Sequence, residues 1–193
     1  MSQPGPAPIA GSYWVQDGFL AGDYPGGWAR YEGQARLHKL LRARVTIFLD
    51  LTRRREKDLQ PYDTLLYREA QALGRRVRYM RVPIPDYATP TVDQMRQLLD
   101  LLDAALAAAR AAGHRIYLHC YAGVGRTGTV VGCFLVRHGW SGPAALDQIV
   151  ELRRELDPEG HPSPITSQQR ALVRDWANHD RAREPRPRAS RRP

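Results

Sequence analysis

Cys120 and Arg126 lie six residues apart, separated by Tyr121, Ala122, Gly123, Val124 and Gly125 and followed by Thr127. A thiol, small flexible residues and a guanidinium at that spacing suit the capture of a tetrahedral oxyanion. Ala122, Gly123 and Gly125 let the backbone curl tightly, so that successive N–H groups point inward. A helix starting near Arg126 adds unpaired amides and the positive end of its dipole. The Arg126 fork can bind two phosphate oxygens at once, which lysine cannot copy. The same surroundings favour the thiolate of Cys120, a strong nucleophile toward phosphorus. His119 is placed to fix the loop by hydrogen bonding. The Thr127 hydroxyl is placed to hydrogen-bond the sulfur and improve it as a leaving group.

This loop needs a strand before it and a helix after it. Residues 115–119 read as a short strand, and a helix is predicted over about 126–138, closed by Gly139. Upstream, 12–20 brings the aromatics Tyr13, Trp14 and Phe19 with a short strand, followed by a turn cluster at 22–27. A helix is predicted over 31–42 and a buried strand over 45–51. A polar, basic loop follows over 52–61, then a helix over 62–73 and a strand over 77–82. Prolines at 83, 85 and 90 exclude regular structure there. A long helix opens at Thr91, with Asp93 in its first turn, and stops at Gly113. Two more helices are predicted, from Pro143 to about Leu156 and from just after Ser163-Pro164 to about Asn178. Strands alternating with helices indicate an α/β fold with a central, mostly parallel twisted sheet flanked by helices.

The 193 residues fit one domain, expected over 11–179, with a loose arm at 1–10 and a basic, disordered tail at 180–193. The net charge of +9 is uneven, because 181–193 holds six arginines and one glutamate. The body is only mildly basic, so no nucleic-acid partner is demanded, although the tail could tether one weakly. No apolar stretch approaches the roughly 20 residues of a membrane span. The start lacks a signal peptide, and two cysteines are too few for a disulfide framework. The expected address is the reducing cytoplasm. Cys133 falls in the apolar helix after the loop and reads as core.

The run HCYAGVGRTG resembles the signature loop of the protein tyrosine phosphatase superfamily. The surrounding chain, from about Tyr13 to Trp176, is similar to its dual-specificity branch. The resemblance implies a cysteinyl-phosphate intermediate and no metal or organic cofactor. It also implies a general acid on a loop upstream of the cysteine. Asp86 fits that place, with Asp50 as a competing carboxylate that reads as structural. Thr166 and Gln169 match a Thr-x-x-Gln pattern found in several members, which makes Gln169 a candidate near the phosphate; an N-cap with an exposed glutamine is the other reading. Ile165 stands where tyrosine-specific members hold a water-positioning glutamine.

The loop interior, Tyr121 to Gly125, holds no lysine, whereas the phosphoinositide-directed branch commonly places lysines there. The expected substrate is therefore a phosphorylated protein, chiefly phosphotyrosine with phosphoserine or phosphothreonine besides. Arg53, Arg54 and Arg55 leave open an inositol phosphate or the 5′ end of RNA, or else a solvated loop. A phosphate-binding module without turnover is the alternative from another class.

Overall fold

Asp17 and Gly18 form a two-residue turn, with Gly18 at φ 81°, a left-handed angle that glycine adopts without steric cost. They divide the strand expected over 12–20 into a hairpin of β1 (Ser12–Gln16) and β2 (Phe19–Gly22). The computed structural model describes residues 5–27 and 30–181. The further elements are α1 (Arg30–Arg42), β3 (Val45–Asp50), α2 (Asp63–Ala72), β4 (Arg78–Arg81) and α3 (Val92–Ala111). They continue with β5 (Arg115–His119), α4 (Gly125–Arg137), α5 (Gly142–Leu152) and α6 (Ser167–Arg181).

The five strands are ordered β1-β2-β5-β3-β4. Only β1 runs antiparallel to its neighbour; β2, β5, β3 and β4 are parallel. Strand residues alternate between faces, as the two-residue period requires. Ile116 and Leu118 pack with Leu49, Met95, Val130, Phe134 and Trp176, on the side of α3 to α6. Tyr117 and Phe48 pack with Leu37, Leu41, Tyr62 and Leu66, on the side of α1 and α2. The central strand β5 is thus buried on both faces, and its carboxyl end delivers Cys120. Such a place, beyond the carboxyl ends of parallel strands, is where α/β sheets bind ligands.

Two helices differ from their expected bounds. α5 stops at Leu152, because Arg154 donates to Glu151 and Leu156 to Arg153, three residues back, in place of further helical bonds. α6 starts at Ser167 because Thr166 and Gln169 cap it reciprocally, each backbone N–H donating to the other side chain. It also runs on to Arg181, into the expected tail; residues 182–193 lie outside the described part. In the arm expected over 1–10, Gly5, Pro6 and Ala10 are exposed and Ile9 alone of residues 5–10 is buried. Ile9 is buried against α1 and α2, and Ser12 Oγ donates to its carbonyl. Among the described residues no helix is long and apolar enough to cross a membrane.

Candidate active site

β5 ends in His119, and the chain then turns through 120–124 before α4 begins at Gly125. Gly123 makes this turn possible. Its φ is 71°, and a Cβ there would lie 2.6 Å from the Gly22 carbonyl carbon. The loop is also fastened from outside. Tyr24 N–H donates to the Tyr121 carbonyl at 3.0 Å, and Ser163 Oγ donates to the Val124 carbonyl at 2.8 Å.

Cys120 is 2% exposed, at the mouth of the helix N-terminus. His119 holds it from behind. A carbonyl only accepts, so His119 Nδ1–H is the donor to the Cys120 carbonyl at 3.2 Å. Nε2 then accepts from the Tyr62 hydroxyl at 2.6 Å. Both ring nitrogens are satisfied in the neutral imidazole, and burial pushes the His119 pKa below its usual value despite nearby Asp50. The Thr127 hydroxyl donates to the Gly22 carbonyl, at a long 3.4 Å, rather than to the sulfur. The partnership with sulfur expected of Thr127 belongs to the reacting enzyme, and the Gly22 carbonyl accepts its hydrogen bond here. Cys133 is fully buried in α4, and burial pushes its thiol well up.

Arg126 is 1% exposed and is held from three sides. Its Nη1 and Nη2 meet Glu56 Oε2 and Oε1 at 2.7 and 2.5 Å. Nη1 also donates to the Ile84 carbonyl at 3.1 Å, and Nη2 lies 3.1 Å from Asp86 Oδ1. Nε is buried and has no partner among the described residues. A buried unpaired donor is costly, and an anionic acceptor would satisfy it.

Asp86 occupies the turn Pro85-Asp86-Tyr87-Ala88, closed by Ala88 N–H donating to the Pro85 carbonyl. Tyr87 holds φ 60° there, an uncommon angle for a bulky residue that clusters at functional sites. Lys57 Nζ pairs with Asp86 Oδ2 at 2.6 Å and lies over the rings of Tyr121 and Tyr87, 4.4 and 5.5 Å from their centres. Partial burial would raise the Asp86 pKa. The Lys57 hydrogen bond and the Arg126 charge outweigh it and hold the carboxyl below the usual range.

Gln169 is fully buried, which excludes the exposed-glutamine reading. Its Nε2 donates to the Ala88 carbonyl at 3.1 Å, and a Cβ on Gly125 would lie 3.2 Å from its Oε1. It therefore joins the Asp86 turn to the start of α4. Asp50 stays outside this group. Its Oδ1 accepts from Thr52 N and Oγ1, and its Oδ2 from the Tyr79 hydroxyl and Arg81 Nε. Burial opposes its charge, but the hydrogen bonds from Tyr79 and Thr52 hold its pKa down. This matches its reading as a structural carboxylate.

The structure thus gathers Cys120, Arg126, Asp86 and Gln169 around one cradle. Four residues joining them were missed from sequence: Glu56, Lys57, Tyr62 and Ser163. The one available signal was Glu56 itself, an acid inside the basic run Arg53-Arg54-Arg55-Glu56-Lys57. No group of three or more metal-ligating side chains gathers among the described residues.

Residues 13–185 match the family described as the Swiss Army Knife protein DSP-PTPase phosphatase domain. Over 124 residues, 64% of this chain, it is 32% identical to protein 067L of Invertebrate iridescent virus 3, which carries a tyrosine phosphatase name. Over 54 residues, 28% of the chain, it is 39% identical to the mouse (Mus musculus) dual specificity protein phosphatase CDC14B. These stretches span 45% and 10% of those two proteins. Among solved structures, Tk-PTP in its active form aligns with a TM-score of 0.65 at 20% identity, covering 87% of this chain and 97% of Tk-PTP. PTPMT1 in complex with PI(5)P aligns at 0.65 and 18% identity, covering 90% and 98% of the two chains. The core catalytic domain of the PP-IP phosphatase SIW14 from S. cerevisiae aligns at 0.60 and 18%, covering 92% and 91%.

Proposed function

This chain belongs to the DSP-PTPase phosphatase domain family, and from that membership we propose that it hydrolyses phosphomonoesters through a cysteinyl-phosphate on Cys120. The observation that carries this reading is the convergence on one buried cradle of the Cys120 thiol, the Arg126 guanidinium and the Asp86 carboxylate.

In the first step the Cys120 thiolate attacks phosphorus. A sulfur–phosphorus bond forms as the bond to the leaving oxygen breaks. The loop amides and Arg126 hold the equatorial oxygens, with Nε as an unspent donor. Asp86 gives its proton to the leaving oxygen. It is ionised beside Lys57 and Arg126, but the incoming phosphate brings negative charge to Arg126 and favours the protonated carboxyl. In the second step water attacks phosphorus, Asp86 takes its proton, and the thiolate leaves.

The substrate we propose is phosphotyrosine in a protein segment, with phosphoserine and phosphothreonine as further substrates. Two features support it. The cradle interior from Tyr121 to Gly125 offers no lysine for neighbouring phosphates. Tyr87, beside the acid, is also exposed and offers its ring to an incoming phenyl group.

The test compares p-nitrophenyl phosphate, phosphotyrosine peptides, inositol phosphates and 5′-triphosphorylated RNA. Peptide turnover should lead the physiological candidates, and a peptide ranked last by orders of magnitude overturns the substrate reading. Cys120→Ser should abolish turnover of the aryl phosphate while retaining its binding. Substantial residual turnover in that variant excludes the covalent mechanism, and binding without turnover by the unsubstituted protein supports a phosphate-binding module.

A further inference from the structure

The loop between β3 and α2 carries more positive charge than the cradle uses. Glu56 is engaged by Arg126, and Lys57 by Asp86. Arg53 and Arg54 are exposed, and neither side chain has a hydrogen-bond or ion-pair partner among the described residues. Both open onto a depression of about 620 Å³ that is also lined by Arg81, Pro83, Pro85 and Gln94. Arg81 is fixed there, because Asp50 accepts from its Nε and Tyr79 from its Nη2. Asp50 offsets the Arg81 charge, so Arg53 and Arg54 supply the uncompensated positive field over the cleft. Guanidinium forks suit phosphate and carboxylate oxygens.

This depression adjoins the cradle without belonging to it. Pro85 directly precedes Asp86, and the Arg53 N–H donates to Glu56 Oε2, the carboxylate that grips Arg126. None of the residues from Cys120 to Arg126 lines it.

We propose that Arg53, Arg54 and Arg81 form an accessory anion subsite. It takes a phosphorylated or acidic side chain one or two residues from the phosphotyrosine of an extended peptide. The inference rests on the phosphotyrosine reading above and extends it to the flanking sequence. Its location favours a peptide over a compact polyphosphate. Phosphates crowded beside the scissile group would meet a lysine-free cradle, whereas the free cations lie beyond Pro85. An extended chain advances roughly 3.3 Å per residue, which carries neighbouring side chains outward past the cradle wall.

The experiment measures kcat/KM for one phosphotyrosine peptide and for versions with a phosphoserine one or two residues to either side. Inositol hexakisphosphate and p-nitrophenyl phosphate complete the panel. The unsubstituted protein is compared with Arg53→Ala/Arg54→Ala. At least one doubly phosphorylated peptide should be favoured by about tenfold, equivalent to about 1.4 kcal/mol. That preference should shrink in the double variant and at high salt, while p-nitrophenyl phosphate turnover stays within about twofold. Equal rates for singly and doubly phosphorylated peptides, or a preference that survives the double substitution, overturn the subsite. Inositol hexakisphosphate outrunning every peptide overturns the peptide assignment. Failure of the phosphatase reading itself would appear separately, as loss of p-nitrophenyl phosphate turnover throughout.

Discussion

Glu56 and Arg126, seventy residues apart, meet through both guanidinium Nη atoms, at 2.5 and 2.7 Å, with their side chains 9% and 1% exposed. A bidentate pair this buried sets the plane of the guanidinium before any phosphate arrives. Removing one partner leaves a buried charge uncompensated, at a cost of roughly 3–5 kcal/mol. Glu56→Gln is therefore expected to lower the thermal midpoint and to weaken inhibition by inorganic phosphate. A calorimetric scan and a phosphate inhibition constant check both. An unchanged midpoint would show that Arg126 is held without Glu56.

The Lys57–Asp86 pair predicts a shift in pH dependence. Lys57 lowers the Asp86 pKa, so its removal lets that pKa rise. The general acid must be protonated, and activity falls on the alkaline side as it ionises. Lys57→Ala should move that limb of the kcat/KM profile to higher pH, and Asp86→Asn should remove it. The Asp86 variant should also slow poor leaving groups far more than p-nitrophenol. If Asp50→Asn shows this leaving-group dependence instead, the acid is Asp50.

Asp23 carries a different pH signal. Burial lifts its pKa to about 6, against the opposing Arg36 guanidinium with which it pairs. A folded-state pKa above the unfolded one favours folding fully below pH ~3.9, and the contribution is lost as pH rises through about 6. Compared with Asp23→Asn, the unsubstituted protein should lose about 1–2 kcal/mol between pH 4 and 7, allowing for partial solvent screening. Urea unfolding of both proteins across that range provides the measurement. Parallel curves would mean that Asp23 titrates normally.

Gly123→Ala combines a left-handed φ with a backbone clash. The methyl group would force the loop away from Gly22 or Gly22 away from the loop. Activity should drop by at least about a hundredfold, with destabilisation of roughly 1–3 kcal/mol. Near-normal turnover of p-nitrophenyl phosphate would show that the cradle tolerates a different path.

The alternation of strands and helices was legible because apolar spacing and glycine stops act locally. The cradle was legible for the same reason, since residues 119–127 are consecutive. Asp86 could be placed by its prolines and by resemblance. Tyr62 and Ser163 were not legible, because their partners lie far away in the chain and no local spacing announces the contact, and Glu56 showed only as an acid inside a basic run. Their roles exist only once the sheet order brings the β3–α2 loop beside β5 and the start of α6 beside α4. The hairpin turn Asp17-Gly18 did carry a local signal, masked by the aromatic run around it.

Gln169 has a consequence in time as well as in space. It donates to Ala88 and packs against Gly125, yet it is made after both of them. During synthesis the thiol and its arginine emerge well before the residue that ties the acid turn to them. The nascent chain therefore lacks this tie between the Asp86 turn and the start of α4 until α6 leaves the ribosome.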